Sequence, residues 1–579
     1  MVSIPEETYC KNHFAHRVGS AGHFYSTQSS QIELSALLGT EAIENIRKDN
    51  VTASAIKKFR AWSLENTNKP IEIQTSSLDA VIDEVCSDRT IGYEDYKTGH
   101  LYTQILDMVL EVANNESVKS SMLRYLKHQP FISLGKISLY AAQQNLPWLE
   151  ESVKDQIYSQ LSSLSTGHEI LFAFNFLKFG LISKEGSLLL ESRTKGCVEN
   201  IPSKTIINIL HLMAIMLYRS TDLIKALIYQ LSKRPTVITI QQLSNLYYSY
   251  STLKIVYPRA LSCLEILSST VLHDKTPIDE KFLLRIMLSI GKLKWDNPTV
   301  INAVCSRIVD PSQLPVESFT SLLVTCSITG TMPANVKAAV IHQLKVAGAD
   351  PKHCQSYLKQ IWSLLVFNIK SESIIKDLLT EDRIAHLTSA DLSQHTVIDL
   401  YGKLLNVAAA AKLEYNLEFP EALKTVSVKP PINLSKHHVE LSRMLCECLE
   451  CNSAQIQQSV WYPTGNAIDF RYLYDTKEKK VVSPHKYILP LDVEDLSEKT
   501  KTPEHMKWVA VLVNTFDHQT VGVSAGKTLD GRKRLAESQL SQMGYHVVNI
   551  GEAEFSSDPD RARKLEWLKE KLSVEISHI

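Results

Sequence analysis

An apolar stripe that recurs about every 36 residues is the feature that most limits how this chain can fold. With Leu181, Leu217, Leu253, Leu293 and Thr329 as reference positions, the intervals are 36, 36, 40 and 36 residues. Mostly apolar side chains lie ten, seven and three positions before each reference position. Offsets of this kind put the side chains on one face of an α-helix. Each period therefore contains one helix with a buried stripe.

A second helix is predicted in each period, four or five residues after the reference position. Three of these helices carry a proline in the first turn, at Pro258, Pro298 and Pro333, where a missing backbone N–H costs nothing. Helical hairpins that recur with a constant period are typical of an α-solenoid. We therefore expect stacked hairpins with equivalent buried positions at Leu210, Leu246, Ile286 and Leu322.

Four side chains of the predicted first helices lie off the apolar stripe, at Asn208, His211, Ser244 and Tyr247. Helical repeats that read single-stranded RNA use side chains in such positions. Residues 169–330 contain 17 Lys and Arg against 12 Asp and Glu, a local excess of five positive charges. We therefore predict that these four residues contact RNA. The alternative is that they are ordinary surface positions on a scaffold that binds proteins.

The composition sets limits on the class of protein. In 579 residues, 62 Lys and Arg nearly balance 63 Asp and Glu, so nucleic acid would have to be bound by local patches. The ten cysteines are mostly isolated in apolar segments, which favours reduced thiols over a disulfide framework. A continuous apolar run long enough to span a membrane is absent from the sequence. We predict no cofactor, no metal site and no membrane span.

The last part of the chain changes to alternating strands and helices. The apolar run Trp508-Val-Ala-Val-Leu-Val513 predicts a buried strand, and a polar loop over 514–526 follows it. A helix with a cationic start then runs to Met543, where Gly544 is positioned to end it. A second strand over 545–550 and an amphipathic helix over 560–572 complete the segment.

This order, with its motif G-x-T-x-x-x-[RK]-[RK]-[RK]-L, is similar to the RAP domain, a module found at the end of RNA-binding proteins. The resemblance is carried by Gly526, Thr528, Lys533, Arg534, Leu535, Gly544 and Tyr545. With the helical repeats upstream, the chain resembles the FAST kinase domain-containing family. That resemblance implies a protein of the mitochondrial matrix that binds single-stranded organelle transcripts and stabilises them or helps in their processing. It also implies contacts with other RNA-processing proteins.

From Ser435 onward the predicted order is α, β, β, β, α, β, α, which resembles the core of the PD-(D/E)XK nucleases. These enzymes place an acid on the second strand, and an acid and a lysine on the third, to hold a metal ion that activates water. Asp469 matches the first position, but the third strand ends Val513-Asn514-Thr515 without acid or lysine. Asp517 and His518 follow in the loop. An RNA endonuclease using Asp469, Asp517 and His518 is therefore an alternative function, and the degenerate motif argues against it.

The cations Arg532, Lys533 and Arg534 stand in the first turn of the helix, with Lys527 in the loop before it. Positive charge at a helix N-terminus opposes the helix dipole, by about 0.3–1 kcal/mol per group. Exposed amides and cations together can bind phosphate. We therefore predict that these four side chains lie on the surface and hold the RNA backbone, the alternative being a solvated basic turn. Kinase motifs are absent from the sequence, although the family carries that name.

The expected organisation is mainly helical, with an α-solenoid followed by a nuclease-like α/β (RAP) domain. Residues 8–31 lack acids and become rich in Ser, Gly and Thr, which is typical of a mitochondrial transit peptide. Glu6 and Glu7 argue against it, and the alternative is a disordered leader. The predicted parts are a presequence over 1–30, a helical region over 31–168, the repeat array over 169–430, a helix-strand-strand segment over 431–505 and the RAP domain over 506–579.

Overall fold

The computed structural model of the protein describes residues 147–577, together with single residues between 123 and 138. Within that range it leaves out 235–236, 275, 390–393, 425–435, 463–464, 485–502, 516–517, 523–528 and 558–559. The predicted presequence over 1–30 and most of the helical region over 31–168 lie outside the described residues. So do two of the predicted site residues, Asp517 and Lys527.

The chain divides into two compact units, Met1–Thr236 and Val237–Ile579. In the first unit, α4 packs against α2 and α5 packs against α3, so that helices two apart in the chain are neighbours. The helices of this unit are α1 (Pro147–Gln160), α2 (Gly167–Lys178), α3 (Lys184–Cys197), α4 (Ser203–Ile215) and α5 (Thr221–Lys233).

The second unit begins with the same kind of packing. Its helical part consists of α6 (Ile240–Leu253), α7 (Pro258–His273), α8 (Glu280–Leu293), the short strand β1 (Trp295–Asp296), α9 (Pro298–Ser306), α10 (Val316–Thr329), α11 (Ala334–Ala349), α12 (Cys354–Val366), α13 (Glu372–Leu378), α14 (Glu381–Ser389), α15 (Gln394–Tyr415) and α16 (Glu421–Lys424). One row is formed by α6, α8, α10, α12 and α15, each packed on the next. A second row is formed by α7, α9 and α11.

The helices start and stop where the sequence provides the signals. Pro258 and Pro298 open α7 and α9, and Thr239 with Gln242 forms a capping box at the start of α6. Left-handed residues follow α2, α4, α6, α8, α10 and α12, at Gly180, Leu217, Lys254, Lys294, Gly330 and Asn368, with spacings of 36–40 residues. The four stripe positions Leu210, Leu246, Ile286 and Leu322 are all buried, as predicted.

The last part of the second unit contains a five-stranded sheet. Its elements are α17 (Lys436–Cys448), β2 (Gln457–Trp461), β3 (Ala467–Asp475), β4 (Lys480–Val482), β5 (Met506–Asn514), β6 (Val521–Gly522), α18 (Gly531–Gln542), β7 (Tyr545–Gly551), α19 (Glu552–Ser556) and α20 (Arg561–Ser577). The strand order is β2-β3-β5-β7, with β4 paired to the C-terminal end of β3. β3 runs antiparallel to β2 and β5, whereas β7 runs parallel to β5.

Both faces of the sheet are covered. Leu445 of α17 and Leu568 of α20 pack with Val511 on one face, and Leu540 of α18 packs with Trp508 and Leu512 on the other. On its opposite side α18 also contacts α10, α12 and α15 of the helical row. This one helix is therefore shared by the sheet and the helical row, and it carries the predicted basic cluster.

The structure confirms a mainly helical protein with a small C-terminal sheet. The predicted strands over 508–513 and 545–550 correspond to β5 and β7, and Gly544 ends α18 with a left-handed φ of 90°. In the part of the chain that the structure describes, no helix combines the length and apolarity that a membrane crossing requires. All the described cysteines are free.

Candidate nucleic-acid interface

The N-terminus of α18 is capped by the protein itself. Asp530 accepts hydrogen bonds from the backbone N–H of Arg532 (3.1 Å) and of Lys533 (3.2 Å). Its side chain is 3% exposed. Aspartate is a favoured N-cap residue, and its negative charge suits the positive end of the helix dipole. The amides that were expected to meet a phosphate therefore already bind a carboxylate.

A partly buried ion pair links this cap to the helical row. Lys294, which follows α8 with a left-handed φ of 52°, places its Nζ 2.6 Å from Asp530 Oδ2. The carbonyl oxygen of Lys294 accepts a hydrogen bond from the N–H of Val521 (2.8 Å). β1 and β6 continue this contact as a parallel pair. The segment before α18 is thus fixed to the end of α8 by one charge pair and by backbone hydrogen bonds.

Arg534 makes a second contact with the helical row. Its Nη2 donates to the carbonyl oxygen of Ser327 at 2.8 Å, near the end of α10. The guanidinium lies over Gly330, whose φ of 85° and lack of a Cβ leave room for it. Burial lowers the pKa of Arg534, while the carboxylates of Asp296 and Asp530 oppose that shift. The guanidinium of Arg534 therefore binds within the protein, at the end of α10.

Lys533 interacts electrostatically with a carboxylate of the sheet and with the cap of α18. Burial lowers its pKa, and the carboxylates of Asp469 and Asp530 partly restore it. Asp469 is itself held at both oxygens, because Oδ1 lies 3.0 Å from His438 Nε2 and Oδ2 accepts from the N–H of Val513 at 2.7 Å. The hydrogen bond to Asp469 raises the pKa of His438. Lys533 therefore neutralises carboxylates inside the protein.

The prediction that the whole cluster lies on the surface holds for Arg532 and is wrong for Lys533 and Arg534. Arg532 keeps 61% of its side chain exposed, with its Nη2 3.2 Å from Asp399 Oδ1. The other two are half-buried because α18 is packed on both sides, and successive side chains on a helix point in different directions. Of the three adjacent cations, Arg532 is the exposed one, and Lys527 lies outside the described residues.

The geometry around Asp469 tests the endonuclease alternative. Asp469 lies on β3, and Asn514, which stands in place of an acid, donates from Nδ2 to Asn549 Oδ1 at 2.9 Å. Among the described residues no three His, Cys, Asp or Glu side chains come close enough to hold a metal ion. Asp517 lies outside them. Asp469 thus forms hydrogen bonds within the fold, and Lys533 of α18 supplies the nearby positive charge.

His518, the third catalytic candidate, lies half-buried next to this cluster. Its Nδ1 accepts a hydrogen bond from the backbone N–H of Thr515 at 3.3 Å. Burial, followed by the positive charge of Lys533, lowers the pKa of His518 to about 4. A neutral imidazole at pH 7 fits a hydrogen-bond acceptor for the backbone N–H of Thr515, directly after β5.

Replacing His518 with asparagine should remove part of the acid sensitivity of the fold. The folded pKa of about 4 lies below the unfolded value of about 6.5, so the unfolded chain binds the extra proton between these values. Stability is therefore lost as the pH falls through this window, by about 2 kcal/mol between pH 7 and pH 5. Unfolding measured against pH should show a shallower loss for His518→Asn. Parallel profiles for the two proteins would contradict this assignment.

The four candidate residues of the helical hairpins have different environments. Asn208 and His211 are half-buried on α4. Ser244 and Tyr247 on α6 are fully buried, so the prediction that these two residues contact RNA is wrong. The Tyr247 hydroxyl lies 2.7 Å from Ser268 Oγ of α7, and its ring packs 6.2 Å from that of Trp295. The second helix of the hairpin covers this face, which the stripe of α6 does not reveal.

Sequence reasoning missed the partners of the basic cluster. Asp530 carried a usable signal, since an aspartate directly before the first helical residue is typical of an N-cap. Lys294, Asp296, Ser327 and Asp399 carried none, because they lie more than 130 positions away in the sequence. Their contacts with α18 exist only in the folded protein.

The fold defines a class: a mainly helical protein in which a row of helices packs, through α18, on a small C-terminal sheet. Among known proteins, the chain is similar to FAST kinase domain-containing protein 4 of Homo sapiens. The two are 20% identical over 472 residues, which cover 79% of this chain and 71% of the human protein. No protein-family model matches the chain. At 20% identity, this similarity supports a distant relationship to FAST kinase domain-containing proteins.

Proposed function

We propose that this protein binds single-stranded RNA in mitochondria and stabilises organelle transcripts or helps in their processing. The observation that carries the proposal is the similarity to FAST kinase domain-containing protein 4. It covers 79% of the chain, too much to fall within either the helical part or the α/β part alone. Both parts therefore share in the relationship on which the function rests.

The proposal includes an assignment of the architecture. The helical hairpins over 169–430 form an α-solenoid, and the regular left-handed residues after every first helix support this assignment. Residues 431–505 with 506–579 form a nuclease-like α/β module that ends in a RAP domain. The order β2-β3-β5-β7, with α18 connecting two parallel strands, supports it.

Cleavage of RNA is not part of the proposal. Both oxygens of Asp469 are occupied by protein donors, and Asn514 stands at the position of the second acid. RNA contact is assigned to Arg532, Asn208 and His211, with Lys527 as a further predicted contact. Lys533 and Arg534 act as structural residues that hold α18 in place.

Ultraviolet crosslinking in cells, followed by sequencing of the attached RNA, tests the proposal as a whole. We expect mitochondrially encoded transcripts to be enriched over a non-crosslinked sample. Enrichment of nuclear-encoded transcripts alone would contradict the mitochondrial assignment. Recovery of no RNA, with proteins bound in its place, would favour the alternative of a protein-binding helical scaffold.

A further inference from the structure

The exposed arginine of α18 and two lysines from other helices interact with a single carboxylate. Arg532 of α18 and Lys403 of α15 both pair with Oδ1 of Asp399, and Lys359 of α12 acts on the same carboxylate. Burial would raise the pKa of Asp399, but the three cations, Lys403 foremost, hold it below its usual value. This group of four residues is called the junction cluster below.

The junction cluster has more positive than negative charge. Three cations and one carboxylate leave a formal excess of two charges. Burial lowers the pKa of Lys403 to about 8, Asp399 opposes that shift, and Arg532 and Lys359 add to it. The lysine is thus protonated for the most part at pH 7, in a positive field that one carboxylate does not cancel. An incoming anion would relieve this repulsion.

A second ionic cluster at the same helix start provides the contrast. Three cations face three carboxylates there: Lys294, Lys533 and Arg534 against Asp296, Asp469 and Asp530. That cluster is balanced and closed, and it holds the fold together. The excess of positive charge is therefore found in the junction cluster. The three adjacent cations at the start of α18 do not produce it by themselves.

The floor of the junction cluster is rigid. Lys403 is 5% exposed, and its Nζ lies 5.1 Å from the centre of the Trp362 ring. The indole N–H of Trp362 donates to Asn406 Oδ1 at 3.0 Å, and the Asn406 carbonyl oxygen accepts from Gln539 Nε2 of α18 at 2.7 Å. The three helices are therefore fixed relative to one another at this point, which keeps the cations in place before any ligand arrives.

The rim of the junction cluster is open. Arg532 is mostly exposed and Lys359 is half-buried, so a ligand can reach both from solvent. Pockets for small molecules bury most of their ligand, and this site does not. An open, rigid site with excess positive charge suits a polyanion that passes over it, and a guanidinium fork fits two oxygens of one phosphate.

We propose that Lys359 and Arg532, with the buried Lys403 beneath them, form a binding site for the phosphodiester backbone of single-stranded RNA where α12, α15 and α18 meet. The proposal rests on the RNA-binding function proposed above and adds residues that contact the RNA backbone. The site contacts phosphate and does not read bases, because cations supply the binding contacts and Trp362 is buried beneath them.

The test is a binding titration of the full chain with a fluorescent single-stranded RNA of mixed sequence over a range of salt concentrations. The variant is Arg532→Ala with Lys359→Ala. The matched control is Lys337→Ala with Lys345→Ala, which removes two exposed cations of α11. We expect the logarithmic salt slope of the variant to become shallower by about 1.4, since each lost contact on single strands removes about 0.7. The control should keep the slope, and Arg532→Lys should restore part of the affinity.

The possible outcomes separate the two proposals. If the unmodified protein fails to bind RNA, the proposed function is wrong. If it binds and the double variant keeps the same affinity and salt slope while remaining folded by circular dichroism, the junction cluster is not the RNA site. A third arm uses inorganic phosphate in thermal unfolding. Stabilisation by phosphate that the variant loses, with RNA binding unchanged, would identify a small-anion site and overturn the proposal.

Discussion

Replacing Asp530 with alanine should destabilise the second unit by about 2–4 kcal/mol, the combined cost of leaving a partly buried charged donor unpaired and of losing a helix cap. The substitution leaves the ammonium of Lys294 without its carboxylate, which lies 2.6 Å away in the intact protein. It also frees the two backbone N–H groups that Asp530 caps, a loss of about 1 kcal/mol when considered alone. Lys533 loses one of the two carboxylates that face it. Thermal unfolding and hydrogen exchange of α18 measure the effect.

Asp279 provides the matched control. It caps α8 and pairs with Lys281 at 2.6 Å, but half of its side chain is exposed. Asp279→Ala should therefore cost much less than Asp530→Ala, because it removes a helix cap that stands in water. Asp530→Asn keeps a cap acceptor and removes the charge, so it should fall between the two alanine variants. Equal losses for Asp530→Ala and Asp279→Ala would show that the ion pair of Asp530 with Lys294 contributes nothing to the docking of α18.

Replacing Leu246 with aspartate should unfold the helical row of the second unit. Leu246 is fully buried on α6, and an unpaired carboxylate in an apolar interior costs several kcal/mol. A domain of ordinary stability has about 5–15 kcal/mol in total, so this single change removes a large part of it. Circular dichroism should report a loss of helix, and limited proteolysis should cut within α6 to α10.

Ile266→Asp is the control for this prediction. Ile266 lies on the adjacent helix α7 and is 61% exposed, so the same chemical change there meets water. Surface substitutions of this kind usually change stability by less than about 0.5 kcal/mol. A Leu246→Asp protein as stable as Ile266→Asp would mean that the α6 stripe does not form part of the core.

The sequence alone determined where the elements with a strong local pattern lie. The apolar run at 508–513 became β5 because a buried strand needs unbroken apolar residues on both faces. Leu210, Leu246, Ile286 and Leu322 are buried because apolar side chains at helical spacing must cover one another. Gly544 ended α18 because a left-handed residue costs glycine little. These are local rules, and they need no knowledge of distant contacts.

The tertiary structure alone decided what the polar side chains do. Tyr247 and Ser244 lie off the apolar stripe of α6, yet both are buried. A helix can be packed against neighbours on more than one face, and α7 contacts Tyr247 here. Arg532, Lys533 and Arg534 are equivalent in sequence, and the docking of α18 between sheet and helical row gave each a different partner. The physical reason is the distance along the sequence between the interacting residues. Periodicity reflects neighbours within a few residues, whereas the charge environment of a side chain is set by groups such as Lys294 and Asp399, which only folding brings near.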